Sequence, residues 1–175
     1  MELEKPSALR RKEIYRYLAC PENSPAADDL LDRCEADLLA AAQPRGVWRI
    51  LPREQAPASL LLDEGDIARH LEGCSRLVLM AVTLGAGVER LLRRYSATDV
   101  ALATAADAAA SVLVDQMADV LEAHIRSQLA KDHWYMTGRY SPGYGNWPLP
   151  VQADLCRVLD TGRAIGLGVS ASYLM

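Results

Sequence analysis

"RLVLMAVTLGAGVERLLRRY", from Arg76 to Tyr95, joins a strand pattern directly to a helix pattern and so indicates a fold that contains both. Its first nine residues, ending at Leu84, form a continuous apolar run, which predicts a central, buried β-strand. Gly85 and Gly87 then predict a turn before a helix. Two glycines at this spacing are also typical of a dinucleotide-binding turn. Arg90 stands where the third glycine of that motif belongs, so a plain strand-to-helix turn is favoured.

Further strands are predicted on both sides of this stretch. Residues 46–52, GVWRILP, alternate apolar and charged side chains, and residues 58–63, ASLLLD, are a second possible strand. Near the end of the chain a last strand is predicted from the alternating residues Ile165, Leu167, Val169, Ala171 and Tyr173. Together with the helices, these strands predict an α+β fold in which a mixed or antiparallel sheet packs with long helices.

Helices are predicted where apolar residues recur every three or four positions. They cover residues 8–19 and 27–42, a short stretch opened by Asp66, and residues 149–162, with Gly162 ending the last of these. The longest helix runs from Ser96 to about residue 131, and Ser96 with Asp99 forms a predicted capping box. Its predicted buried face consists of Leu102, Ala106, Ala109, Leu113, Met117, Val120 and His124. Its predicted polar face consists of Asp107, Ser111, Asp115, Asp119, Glu122 and Arg126.

Composition and charge argue against several classes of protein. The 175 residues fit one domain with at most an added helical arm. The net charge of -4 and the pI near 5.4 argue against a nucleic-acid groove, which needs a basic surface. We expect no membrane span and no signal peptide, because no apolar run reaches ~20 residues and the first residues are highly charged. The 4 scattered cysteines lack metal-ligand spacing, which predicts reduced thiols in a cytoplasmic protein and no metal site.

One stretch, HWYMTGRYSPGYGNWPLPVQ at residues 133–152, differs from the Ala- and Leu-rich remainder of the chain. Within it, Pro142 fixes one backbone angle and Gly143 permits a positive one, which predicts a rigid turn. Such a turn would hold Arg139 beside Tyr140, Ser141 and Tyr144.

These side chains offer a planar guanidinium for a carboxylate or phosphate, hydrogen-bonding groups, and aromatic faces for stacking or for a cation. The set suits a small zwitterionic or aromatic ligand better than catalysis, since the sequence contains no Ser-His-Asp set and no paired histidine ligands. The alternative is a structural turn whose aromatics pack on the long helix and whose Arg139 is salt-bridged. Spacing alone slightly favours that alternative.

The order of the elements, and the motif Arg139-Tyr140-Ser141-Pro142-Gly143-Tyr144 after the long helix, resembles the activation (reactivation) domain of cobalamin-dependent methionine synthase and its stand-alone relatives. The family motif has the form R-x-[SA]-P-G-Y. The resemblance covers residues 76–175, and residues 80–89 are similar to the family's strand and glycine turn. It implies a helical segment at residues 1–45, packed on an S-adenosylmethionine-binding domain at residues 46–175. The family's final strands are expected to be missing after Met175.

The resemblance also implies the ligand and the residues that contact it. Arg139 would hold the carboxylate of the methionine moiety of S-adenosylmethionine, and the backbone of Tyr140 would contact the ligand. Ser141, Pro142 and Gly143 would form the turn, and Tyr144 would shape the pocket wall. Asp119, on the long helix, corresponds to an acidic ligand residue of the family, with Asp in place of Glu.

The implied chemistry is reductive remethylation of a partner's cobalamin or other corrinoid. The oxidised cobalt centre is reduced by one electron and then takes the methyl group of S-adenosylmethionine. The implied partner is the cobalamin-binding domain or subunit of a methionine synthase or a related corrinoid protein, and a flavodoxin-type protein is the implied reductant. The chain would supply positioning and no catalytic residue. The alternative is a non-catalytic interaction module that docks on a corrinoid protein without binding S-adenosylmethionine.

Overall fold

The computed structural model describes residues 1–61 and 64–170. These residues form an α+β structure, which confirms the predicted fold class at that level. The two strands are β1 (Arg45–Pro52) and β2 (Arg76–Thr83). The helices in the described ranges are α1 (Arg11–Tyr17), α2 (Pro25–Ala41), α3 (Gly65–His70), α4 (Ala86–Thr98), α5 (Val100–Ala130), α6 (Val151–Leu159) and α7 (Thr161–Ile165).

By its internal packing the chain divides into two units. The first consists of Met1–Arg45 and Val82–Ala123, and the second of Gly46–Ala81 and His124–Met175. The division after residue 45 that the resemblance implies stays a prediction.

The two strands pair antiparallel, and both had been predicted. At one end of the pair the Gln43 amide donates to the Leu84 carbonyl at 2.8 Å, and at the other the Arg53 amide donates to Ser75 at 2.9 Å. The start of β1 therefore lies opposite the end of β2, as antiparallel pairing requires. β2 buries alternate residues, which lie on one face of the sheet. The prediction of a central strand is wrong for the described residues, where the sheet contains two strands.

In the first unit, α2 and α4 pack closely where the chain leaves β2. A Cβ atom on Gly87 would collide with the backbone carbonyl oxygen of Ala41, so this position accepts no side chain. The backbone of α2 therefore fills the space above Gly87. The pair Gly85–Gly87 is a strand-to-helix turn, as favoured from the sequence, and close helix packing accounts for its second glycine.

The long helix α5 begins later than predicted. Ser96 lies inside α4, where its hydroxyl donates to the Leu92 carbonyl at 2.9 Å, so it does not cap α5. Asp99 separates the two helices, and its carboxylate accepts a hydrogen bond from the Leu102 amide at 3.0 Å. Asp99 is therefore the N-cap of α5, and the predicted capping box at Ser96 is wrong.

The buried face of α5 follows the prediction only over its first half. Leu102, Ala106, Ala109, Leu113 and Met117 are buried as predicted. Val120 is 39% exposed and His124 is half-buried, and the buried face continues instead through Leu121 and Ile125. By length and composition alone this is the described helix that could cross a membrane, and most of its apolar window is buried. That burial is typical of the core helix of a folded domain.

The second unit has its core against the buried face of β2. The side chains of this core are Leu60, Ile67, Leu77, Leu79, Ala81, Trp147, Val151, Leu159 and Ile165. Trp147 comes from the segment between α5 and α6. This segment contains no helix or strand, and the buried Trp147 ring anchors it in the core. The core thus fixes the position of the turn that precedes Trp147.

Two strand predictions in this unit are wrong. Ala58–Leu60 is a single 3-10 turn, and Leu62 and Asp63 lie outside the described residues. Residues 161–165 form α7, and residues 167–170 are not a strand; Ala171–Met175 lie outside the described residues. The helix predicted to end at Gly162 ends at Leu159, because Asp160 takes a left-handed conformation, with φ of 50°. Aspartate tolerates that region better than most residues.

Candidate ligand-binding turn

The predicted turn is present at Ser141–Tyr144. The Tyr144 amide donates to the Ser141 carbonyl at 3.2 Å, which closes a four-residue turn. Pro142 occupies its second position, and Gly143 occupies the third with φ of +92°. A positive φ at the third position after proline is the signature of a type II turn. The sequence Ser-Pro-Gly-Tyr therefore specifies this backbone through proline and glycine together.

A second layer of hydrogen bonds ties this turn to Trp147. The Gly143 amide donates to the Trp147 carbonyl at 2.8 Å, and the Trp147 amide donates to the Tyr144 carbonyl at 3.0 Å. Trp147 is only 5% exposed, within the core of the second unit. Since the turn is hydrogen-bonded to a buried residue on its far side, its backbone is preorganised rather than free to adapt.

The side chain of Tyr140 is held by three neighbours. Its ring lies 5.2 Å from the His70 ring and 6.1 Å from the Trp147 ring, both in tilted arrangements. Its hydroxyl donates to the Tyr144 carbonyl at 3.2 Å. These contacts occupy the side chain, while the backbone of Tyr140 directly precedes the turn. That arrangement accords with a residue that contacts a ligand through its backbone.

The segment leading into the motif is fixed by two arginines of the second unit. Arg126 donates to the carbonyls of Met136 and Thr137 at 2.9 Å and 2.8 Å. The Arg76 guanidinium lies 4.5 Å from the centre of the Trp134 ring, which is a cation–π contact. Both arginines therefore order the backbone that approaches Arg139.

The side chains that the turn presents to solvent are those predicted to meet a ligand. Arg139 and Ser141 are exposed, and the Tyr144 ring is 69% exposed. An exposed guanidinium next to a fixed backbone edge can bind a carboxylate in two parallel hydrogen bonds. The residues from Arg139 to Tyr144 thus lie together on one braced loop of the second unit, and their role toward a ligand stays a prediction.

Asp119, the remaining predicted ligand residue, lies on α5 in the first unit. Its carboxylate accepts a hydrogen bond from Arg10 at 2.6 Å. That hydrogen bond raises the pKa of the Arg10 guanidinium. Both side chains are partly exposed, at 47% for Arg10 and 37% for Asp119. An exposed ion pair of this kind contributes little stability. Its role as a ligand residue stays a prediction.

Sequence reasoning missed two residues that brace the turn, Asn146 and His70. Asn146 contacts the start of α3, and His70, at the end of α3, stacks on Tyr140. Both contacts join segments that are far apart in sequence, so no local pattern could have shown them. In the sequence alone, Asn146 is one more turn-forming residue after Gly145.

A metal site and nucleophilic catalysis by Cys34 both lack support in the described residues. No group of three or more His, Cys, Asp or Glu side chains lies close enough there to hold a metal ion. Cys20, Cys34, Cys74 and Cys156 form no disulfide bond with one another. Burial raises the pKa of Cys34 to about 11, which makes it a poor nucleophile at neutral pH.

No protein-family model matches the chain, and the search of curated proteins finds no significant match.

Proposed function

We propose that this protein binds S-adenosylmethionine at the Arg139–Tyr144 turn and supports reductive remethylation of a corrinoid carried by a partner protein. The observation that carries the proposal is the braced type II turn, which exposes Arg139 while the side chain of Tyr140 is occupied. The choice of S-adenosylmethionine as the ligand rests on the resemblance of this motif to that of the methionine synthase activation domain.

The residues of the turn fit the polar end of S-adenosylmethionine. Its methionine moiety carries a carboxylate, for which the planar guanidinium of Arg139 is the matching donor. The side chain of Tyr140 and the turn that follows it are held in place before the ligand arrives, so little further ordering is needed on binding. The exposed Tyr144 ring offers an apolar face beside the turn. The resemblance adds Asp119 as a further ligand residue.

The proposed role of the chain in the reaction is positioning. Bound S-adenosylmethionine would supply a methyl group and leave as S-adenosylhomocysteine, and the partner's corrinoid, reduced by one electron from a flavodoxin-type protein, would accept the methyl group. Arg139 would anchor the end of the ligand that does not react, so that binding energy is used to orient the methyl group. In this role the protein acts in the cytoplasm, as one component of a methyltransferase system.

Titration calorimetry of arginine variants tests the proposal. Arg139→Ala should weaken S-adenosylmethionine binding by about 2 kcal/mol, or roughly 30-fold, because it removes a charge-assisted bidentate contact. Arg139→Lys should recover only part of the loss, since a lysine cannot donate in the same planar geometry.

Arg163→Ala is the matched control, because Arg163 is an exposed arginine on α7 of the same unit. Its affinity should equal that of the unchanged protein. Equal affinities for Arg139→Ala and Arg163→Ala would remove Arg139 from the site.

A further inference from the structure

The side chain of Asn146 joins the binding turn to the start of α3. Its Oδ1 atom accepts hydrogen bonds from the amides of Asp66 and Ile67, at 2.8 Å and 3.4 Å. Its Nδ2 atom donates to the Glu64 carbonyl at 2.8 Å. Both ends of the amide are therefore used, and the partners lie about 80 residues earlier in the chain.

The fit around this amide is close. Gly65 has φ of +84°, and a Cβ atom there would overlap the side chain of Asn146. Only a glycine lets the backbone at the start of α3 come this near to the amide. The first residue of α3 therefore leaves space for the Asn146 side chain.

The helix also touches the motif at its other end. His70, the last residue of α3, stacks on the Tyr140 ring, and its Nε2 atom lies 3.3 Å from the Thr137 hydroxyl. Thus α3 contacts the loop through Asn146 at one end and through Tyr140 at the other. The short helix braces the turn along its length.

We propose that Asn146 is a positioning residue for the ligand site. Asn146 lies between Tyr144 and Trp147, whose backbones are hydrogen-bonded to each other at 3.0 Å. Fixing its side chain on α3 therefore fixes the backbone that follows the type II turn. Asn146 acts through the turn and need not touch the ligand. Its effect on S-adenosylmethionine affinity rests on the proposed function, but its effect on the turn does not.

Two readouts are measured on Asn146→Ala and Asn146→Asp in the full chain. The first is the affinity for S-adenosylmethionine. The second is the hydrogen-exchange rate of the Gly143 and Trp147 amides, whose own acceptors are untouched by the substitution. We expect Asn146→Ala to lose about tenfold in affinity and to speed exchange of both amides by a similar factor. Asn146→Asp should recover part of each, because it keeps an acceptor for the α3 amides but loses the donor to Glu64.

Gly65→Ala and Gly73→Ala test the same contact from the other side. Both glycines have positive φ, +84° and +71°, so alanine is strained at either position. A Cβ atom at Gly73 meets nothing within 4 Å, whereas one at Gly65 must displace Asn146. Gly65→Ala should therefore reproduce the effects of Asn146→Ala on the turn amides, and Gly73→Ala should not.

The outcomes separate this inference from the proposed function. If the unchanged protein binds S-adenosylmethionine and Asn146→Ala binds it equally well, the positioning role is wrong. If the unchanged protein binds none, the proposed function fails, and the exchange rates alone decide on Asn146. Unchanged exchange at Gly143 and Trp147 in Asn146→Ala overturns the inference in either case.

Discussion

Replacing Gly143 by alanine tests the backbone of the binding turn. Gly143 has φ of +92°, a region that costs an L-residue about 1–2 kcal/mol. The added Cβ atom would also lie 3.3 Å from Cδ1 of Leu149, the end of a flexible side chain that can move aside. The φ cost therefore dominates, and we expect Gly143→Ala to lose about 1–2 kcal/mol of unfolding free energy. For a chain of this size that corresponds to a fall in Tm of roughly 2–8 °C.

Gly138→Ala is the matched control for this measurement. Gly138 lies in the same loop, is not in the left-handed region, and has nothing within 4 Å of its Cβ position. Alanine should be neutral there or stabilise by up to ~1 kcal/mol, because it restricts the unfolded chain. Urea unfolding and thermal melts compare the two variants. If Gly143→Ala is as stable as Gly138→Ala, the type II turn and its preorganisation are refuted.

Three further predictions concern the first unit. Leu113→Ala should lower the free energy of unfolding, measured in urea, by about 2–5 kcal/mol, since Leu113 is fully buried. Val120→Ala should change it by no more than about 0.5 kcal/mol, because Val120 is 39% exposed. Equal losses in the two variants would contradict the observed buried face of α5. The Leu102 amide and Arg33 lower the pKa of Asp99 in the folded protein. The ionised Asp99 carboxylate therefore stabilises the fold fully above the ordinary carboxyl pKa of about 3.9, and this stabilisation is lost as the pH falls through the lower pKa of the folded state. The stability difference between Asp99→Ala and the unchanged protein should therefore shrink below about pH 4 in pH-dependent unfolding, and a constant difference would contradict it. Arg10→Ala should change the free energy of unfolding by less than ~1 kcal/mol in urea unfolding, because its ion pair with Asp119 is exposed; a larger loss would contradict this.

Local patterns predicted most of the secondary structure because their signals are periodic. β1 alternates apolar and charged residues, β2 is a continuous apolar run, and α2 and α6 have apolar stripes at helical spacing. Each of these signals lies within one element. Proline and glycine at residues 142 and 143 predicted a rigid turn for the same reason, since a turn is specified by its own four residues.

The wrong predictions for α5 arose where the sequence permits two local structures. Ser96 and Asp99 are both good capping residues, and only the packing of α4 shows that Ser96 is inside a helix. After Met117 a step of three reaches Val120 and a step of four reaches Leu121, and the sequence permits both. The structure takes the step of four, as the burial of Leu121 shows.

The C-terminal strand prediction failed for a related reason. Alternating apolar residues from Ile165 matched a strand, but the Thr161 hydroxyl donates to the Leu167 carbonyl at 2.8 Å and holds that part of the chain against α7. The braces of the binding turn were equally invisible. Asn146 and His70 act across segments that are remote in sequence, and without related sequences or a structure such pairs cannot be identified.

Hydrogen exchange of the unchanged protein, measured with and without millimolar S-adenosylmethionine, reports both whether the ligand binds and where it binds. We expect slower exchange at the amides of Tyr140, Ser141, Gly143 and Tyr144 when the ligand is present. Exchange that is unchanged throughout the chain, or slowed only at residues outside this turn, would contradict it.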